Sequence, residues 1–124
     1  MGKKIVITGG IGYIGTELCK IYSGYSWNDE IIVIDNRFIS ERVNQLRNWN
    51  MNFVHGDILD KNLIKKYCHD ADVVHHLAGI TAVPRVKSDA NEEKEKEIER
   101  VAKEGTQNIL DVISDKCKII IPST

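Results

Sequence analysis

The segment Lys4-Ile5-Val6-Ile7-Thr8 runs straight into Gly9-Gly10-Ile11-Gly12-Tyr13-Ile14-Gly15. Glycines in a tight turn let the backbone approach a pyrophosphate, and a helix starting there aims its positive end at the charge. Twenty residues past Gly15, the apolar run Ile31-Ile32-Val33-Ile34 ends on Asp35. A carboxylate at that point can accept hydrogen bonds from both hydroxyls of an adenosine ribose. Gly10, Gly12 and Gly15 fit G-x-G-x-x-G, while Gly9, Gly12 and Gly15 fit G-x-x-G-x-x-G. Glycine spacing alone would also suit a ligand-free turn. A strand before it, an amphipathic helix after it and Asp35 at this distance make it a dinucleotide-binding fingerprint, and the expected ligand is NAD.

Strands and helices alternate through the rest of the chain. Strands are expected at Lys4–Thr8, Glu30–Asp35, Phe53–His55, Val73–Leu77 and Lys118–Ile121. The first helix starts near Gly12, with Ile14, Leu18, Ile21 and Tyr22 on one face at helical spacing. Gly24 to Asp29 is a polar turn, and Arg37 to Asn50 is a loop and a helix with Val43 and Leu46 inward. A short helix over Lys61–Cys68 carries the stripe Leu63, Ile64 and Tyr67. A loop over Ile80–Asn91, broken by Pro84, precedes a long helix over about Glu92–Ser114. That helix repeats Ile98, Val101, Ala102, Ile109 and Ile113 every three or four positions, with Gly105 on the same side. The alternation predicts an α/β fold: a Rossmann-like, doubly wound parallel sheet of about five strands with helices on both faces.

The 124 residues allow one domain, here residues 1–124, with a formal net charge of -1. That balance points to neither nucleic acid nor an acidic membrane surface as partner, and no apolar run is long enough to cross a bilayer. The chain enters a strand at once, which argues against a signal peptide. Cys19, Cys68 and Cys117 are odd in number and widely spaced, so they read as free thiols of a cytoplasmic protein with no disulfide and no metal site. The run Glu92-Glu93-Lys94-Glu95-Lys96-Glu97 reads as a solvated helix start. His75 and His76 are neighbours on a strand, point to opposite faces and cannot chelate one metal together. Packing is the expected role of both. No G-x-S-x-G elbow suggests a serine hydrolase.

Four segments together resemble one family: Thr8 to Gly15, His55-Gly56-Asp57-Ile58, His76-Leu77-Ala78-Gly79 and Gly105-Thr106-Gln107-Asn108. In order and spacing the chain is similar to the extended short-chain dehydrogenase/reductases, in particular the NAD-dependent sugar-nucleotide epimerases and dehydratases. The resemblance runs from Lys3 to Thr124. It implies that Gly9, Gly12 and Gly15 line the pyrophosphate, with the Tyr13 and Ile14 amides close by. It implies that Asp35 takes the adenosine ribose, that Asn36 and Arg37 follow near the adenine, and that Asp57 and Ile58 flank the adenine. Leu77, Ala78 and Gly79 would pass beneath the nicotinamide end. Thr124 would be the catalytic hydroxyl residue, bonding the sugar oxygen that becomes a carbonyl. Arg37 raises the question of NADP, but Asp35 would repel a 2′-phosphate, so NAD is favoured.

The chain departs from the family twice. Ala102 stands where the family carries an asparagine that braces the active site. The family's chemistry also needs a Tyr-x-x-x-Lys pair, whose tyrosine takes a proton from a sugar hydroxyl as hydride leaves the carbon. No such pair occurs here: four residues after Tyr13, Tyr22, Tyr25 and Tyr67 stand Glu17, Ser26, Asp29 and Ala71. Thr124 alone cannot serve as base, because its own pKa is far too high. The resemblance therefore implies a C-terminally truncated Rossmann domain with the substrate domain absent, binding cofactor without turnover. In family dimers the long helix is part of the interface, so a homodimer through residues 92–114 is expected, and a sugar nucleotide is the expected substrate of the complete enzyme. Arg85 and Lys87 in the loop before that helix would contact a nucleotide diphosphate or solvent alone. The competing expectation is a non-catalytic NAD-binding sensor or interaction module, since such folds host both.

Overall fold

The computed structural model describes residues 2–25, 28–78 and 92–122. Strands β1 (Lys4–Thr8), β2 (Glu30–Asp35), β3 (Asn52–His55), β4 (Val73–His76) and β5 (Lys118–Ile120) alternate with helices α1 (Tyr13–Tyr25), α2 (Ser40–Asn48), α3 (Lys61–Cys68) and α4 (Glu92–Val112). All strand pairs are parallel, in the order β3-β2-β1-β4-β5. Parallel strands joined by helical crossovers are covered on both faces, which is why β1 and β2 read as unbroken apolar runs. Only the edge strands β3 and β5 are partly exposed along their length.

Alternate residues of each strand feed two separate cores. Ile5, Ile7, Ile31 and Val33 pack with Cys19 of α1 and Leu46 of α2 on one face. Val6, Ile32, Ile34 and Val74 pack with Ile64 of α3 and Ile109 of α4 on the other. The expected doubly wound sheet is therefore observed. Val43 and Leu46 face inward on α2, as do Ile64 and Cys68 on α3. The α3 N-terminus is capped by Asp60, whose side chain accepts from the Leu63 N–H at 3.2 Å. Cys19, Cys68 and Cys117 are free thiols.

The inward stripe of α1 differs from the expected one. Ile14 and Ile21 are about half exposed, while Leu18, Cys19 and Tyr22 face the core. The helix is rolled so that Gly15, not Ile14, meets the glycine turn: a Cβ on Gly15 would lie 2.5 Å from the Gly10 Cα. Three element ends are also shorter than expected: β4 stops at His76, α4 at Val112 and β5 at Ile120. His75 and His76 point to opposite faces as expected, one bonding Tyr22 of α1 and the other Thr106 of α4. Each thus does more than pack: it ties the sheet to a helix. Among the described residues no helix is long and apolar enough to cross a membrane.

Candidate functional site

A cleft of about 630 Å³ opens at the carboxyl ends of the strands. It lies where β1 neighbours both β2 and β4, the switch point at which open α/β sheets take ligands. Gly9, Gly12, Gly15, Tyr13 and Ile14 line one wall. The Gly9 N–H donates to the Ile34 carbonyl at 2.7 Å, and the Gly12 N–H to the Gly9 carbonyl at 3.1 Å, which folds the turn back onto β2. The first turn of an α-helix has N–H groups with no intrahelical acceptor, so this wall presents amides at the positive end of α1.

At the end of β2, Asp35 is buried, with only 4% of its surface exposed. Its Oδ2 accepts from the Ile11 N–H at 3.3 Å and its Oδ1 from the Arg37 N–H at 2.9 Å. The Arg37 side chain closes over the same carboxylate, Nε to Oδ1 at 3.2 Å and Nη2 to Oδ2 at 3.4 Å. Arg42 of α2 donates to the Ile11 carbonyl. Ile11 is thus fixed on both sides of its residue, by Asp35 and by Arg42, and the glycine turn is tied to the end of β2.

Asn36, Arg37, Asp57 and Ile58 line the cleft beyond Asp35. The Asp57 carboxylate accepts from the Leu59 N–H at 2.9 Å, a local turn that holds the loop after β3. Ile58 is nearly buried because α4 comes very close. A Cβ on Gly105 would stand 2.2 Å from the Ile58 Cδ1, and Asn108 Nδ2 donates to the Ile58 carbonyl at 2.9 Å. Replacing Asn108 by Ala leaves that carbonyl short of a partner. The expected loss is about 1–2 kcal/mol in urea unfolding. An unchanged midpoint would mean that the bond does not hold the loop.

Leu77 and Ala78 form the far end of the cleft. The Leu77 N–H is shared between the Thr8 carbonyl and Thr8 Oγ1, both at 3.1 Å, and the Ala78 N–H donates to Oγ1 at 3.2 Å. The Thr8 proton then has one direction left, toward His76 Nδ1 at 2.7 Å. That assigns the ring proton to Nε2, which donates to Thr106 Oγ1 at 3.0 Å, and Thr106 donates to the Ala102 carbonyl at 2.7 Å. The line β1–β4–α4 is satisfied only with a neutral imidazole, and burial pushes the His76 pKa down to about 4. It runs through the backbone of Ala102, the residue standing in place of the family's bracing asparagine.

Every described residue assigned to the cofactor by sequence thus faces one cleft. Gly79 and Thr124, and the loop with Arg85 and Lys87, lie outside the described residues. Sequence reasoning missed Glu97 and Val101 of α4, which also line the cleft. Val101 lies on the apolar stripe one turn before Gly105, a signal that was present, whereas Glu97 carries none beyond its charge run. Among the described residues no group of His, Cys, Asp and Glu could hold a metal ion.

The donor set suits NAD: an amide wall for a pyrophosphate, a buried carboxylate for a vicinal diol, and an apolar slot at Ile58. A side chain at Gly12 would project into that wall, its Cβ 3.1 Å from Arg37 Nη2 and 3.2 Å from the Gly9 carbonyl.

The sheet order, the glycine turn and the acid ending β2 define a dinucleotide-binding Rossmann domain. The chain belongs to the 3-beta hydroxysteroid dehydrogenase/isomerase family, within the extended short-chain dehydrogenase/reductases, and the family model matches residues 6–121. It is 31% identical to a UDP-N-acetyl-alpha-D-glucosaminuronate decarboxylase of Bacillus cytotoxicus, over 100% of this chain and 37% of that protein. It is 35% identical to the CDP-paratose 2-epimerase of Salmonella typhi, over 98% of this chain and 36% of that one. Its fold matches UDP-glucose-4-epimerase from Stenotrophomonas maltophila, solved with bound NAD and formylated UDP-arabinopyranose, with a TM-score of 0.74 at 19% identity over 98% of this chain and 37% of that one. The chain therefore spans little more than a third of the length of these relatives.

Proposed function

We propose that these residues are the NAD(H)-binding portion of an NAD-dependent sugar-nucleotide epimerase or dehydratase. The observation that carries the reading is the convergence of the glycine turn, Asp35, Asp57, Ile58, Leu77 and Ala78 on one cleft. The three relatives named above each carry the name of a sugar-nucleotide enzyme, which supports the substrate class. Gly9, Gly12, Gly15 and the amides of Tyr13 and Ile14 would hold the pyrophosphate. Asp35 would take the ribose hydroxyls, while Asp57 and Ile58 would flank the adenine. The Ala78 end would lie under the nicotinamide, with Gly79 continuing it. When bound, NAD supplies a hydride acceptor for a sugar carbon. Thr124 would orient the hydroxyl on that carbon. With no Tyr-x-x-x-Lys pair among them, the 124 residues hold cofactor but do not turn over.

Calorimetry with NAD and NADP tests the reading. Asp35 keeps its two backbone donors and a negative charge at the ribose, so NAD is expected to bind at least about tenfold more tightly than NADP. Equal affinities would overturn the assignment of Asp35. A UDP-sugar added to the NAD complex is expected to give no NADH absorbance above a protein-free control, and a signal there would place a working base within these residues.

A further inference from the structure

Asp35 is needed for the ribose, yet its side chain is only 3% exposed and the Arg37 guanidinium is bonded to it. The guanidinium spans from Asp35 to the edge of the glycine turn, where its Nη2 stands 3.1 Å from the place a Gly12 Cβ would occupy. It therefore sits across both the ribose seat and the pyrophosphate wall. We infer that Arg37 is the gate of this cleft: it stands in for the dinucleotide on Asp35 and passes to a phosphate when the ribose arrives. The inference rests on the nucleotide reading given above.

Three observations make the exchange feasible. Asp35 keeps the Ile11 and Arg37 N–H groups as donors after the side chain leaves, so its carboxylate is not orphaned. The side-chain bonds are long, at 3.2 and 3.4 Å, and the Arg37 side chain is 56% exposed, so the pair is weak and easily opened. Of the other two acidic residues that line the cleft, Glu97 is engaged by Arg100 at 2.6 Å and Asp57 accepts from the Leu59 N–H at 2.9 Å. A guanidinium displaced from Asp35 can bond an incoming phosphate through two N–H groups, in a geometry the planar fork suits.

Calorimetry on the full chain with two probes, adenosine and ADP, separates this role from others. Adenosine must open the gate and offers no phosphate in return, whereas ADP offers one. In Arg37→Gln, adenosine is expected to bind several-fold more tightly and ADP several-fold more weakly. Arg37→Lys is expected to recover most of the ADP affinity through its charge. If both probes weaken, Arg37 only braces Asp35. If both tighten, it only blocks the cleft. Either result, or no change in both, overturns the inference. Wild-type protein that fails to bind ADP overturns the nucleotide reading itself and the gate with it.

Discussion

Acidification from neutral pH to about 4 is expected to remove about 3 kcal/mol of stability through His76 alone. Burial holds its folded pKa near 4, against 6.5 for an unperturbed histidine. Above 6.5 neither state is protonated and the residue contributes no penalty. Between 6.5 and 4 the unfolded chain takes up the proton and the folded chain does not, so stability falls as pH falls and levels off below 4. The structural cause is the bonded line through Thr8 and Thr106. A proton on Nδ1 would confront the Thr8 hydroxyl, whose own proton has nowhere else to go while Leu77 and Ala78 donate to its oxygen. Burial pushes the His75 pKa down as well, in the same direction.

Replacing His76 by Gln provides the control. The amide can accept from Thr8 and donate to Thr106 with no titrating group, at an expected cost of about 1 kcal/mol at neutral pH. Urea unfolding at about pH 7 and about pH 4.5 should then cross: wild type more stable at the first, His76→Gln at the second. Parallel loss in the two proteins would mean that the folded state tolerates the imidazolium, and the tautomer assignment would fall.

Much of this fold is legible in the sequence because its central strands are buried on both sides. Lys4–Thr8 and Glu30–Asp35 can be read to the residue, since an apolar run between a glycine turn and an acid has few other solutions. The residues that line the cleft are legible for a related reason: a phosphate site needs backbone amides, and a glycine turn at a helix start supplies them compactly. What escapes is set by packing across elements. The roll of α1 is fixed by how Gly15 meets Gly10, which periodicity in Ile14, Leu18 and Ile21 cannot report. Arg37 looks from sequence like a candidate for a 2′-phosphate, but its partner, Asp35, becomes visible only when the side chain is placed. Glu97 and Val101 reach the cleft because Gly105 lets α4 close on Ile58, a contact 47 residues apart in the chain.

The largest effect on binding is expected from Gly15→Ala. A Cβ at this position would lie 2.5 Å from the Gly10 Cα, 2.6 Å from the Gly9 carbonyl oxygen and 2.7 Å from the Gly10 carbonyl carbon. All three are backbone atoms, so no rotamer relieves the clash, and the helix start must lift from the turn. Overpacking of this kind costs about 1–3 kcal/mol in stability. NAD affinity should fall about a hundredfold, or about 2.7 kcal/mol, because the amides of Tyr13 and Ile14 move with the helix and hydrogen bonds to anions weaken steeply with misplacement. The same helix carries its own control. Gly24 has nothing within 4 Å of its added Cβ, so Gly24→Ala should leave NAD affinity unchanged and raise stability by about 0.5 kcal/mol through helix propensity. Measured side by side by thermal melting and calorimetry, the pair tests one idea. What matters at Gly15 is the close approach that aims α1 at the cleft, not the loss of a flexible residue. If Gly15→Ala bound NAD like the wild type, the amide wall would not be what holds the pyrophosphate.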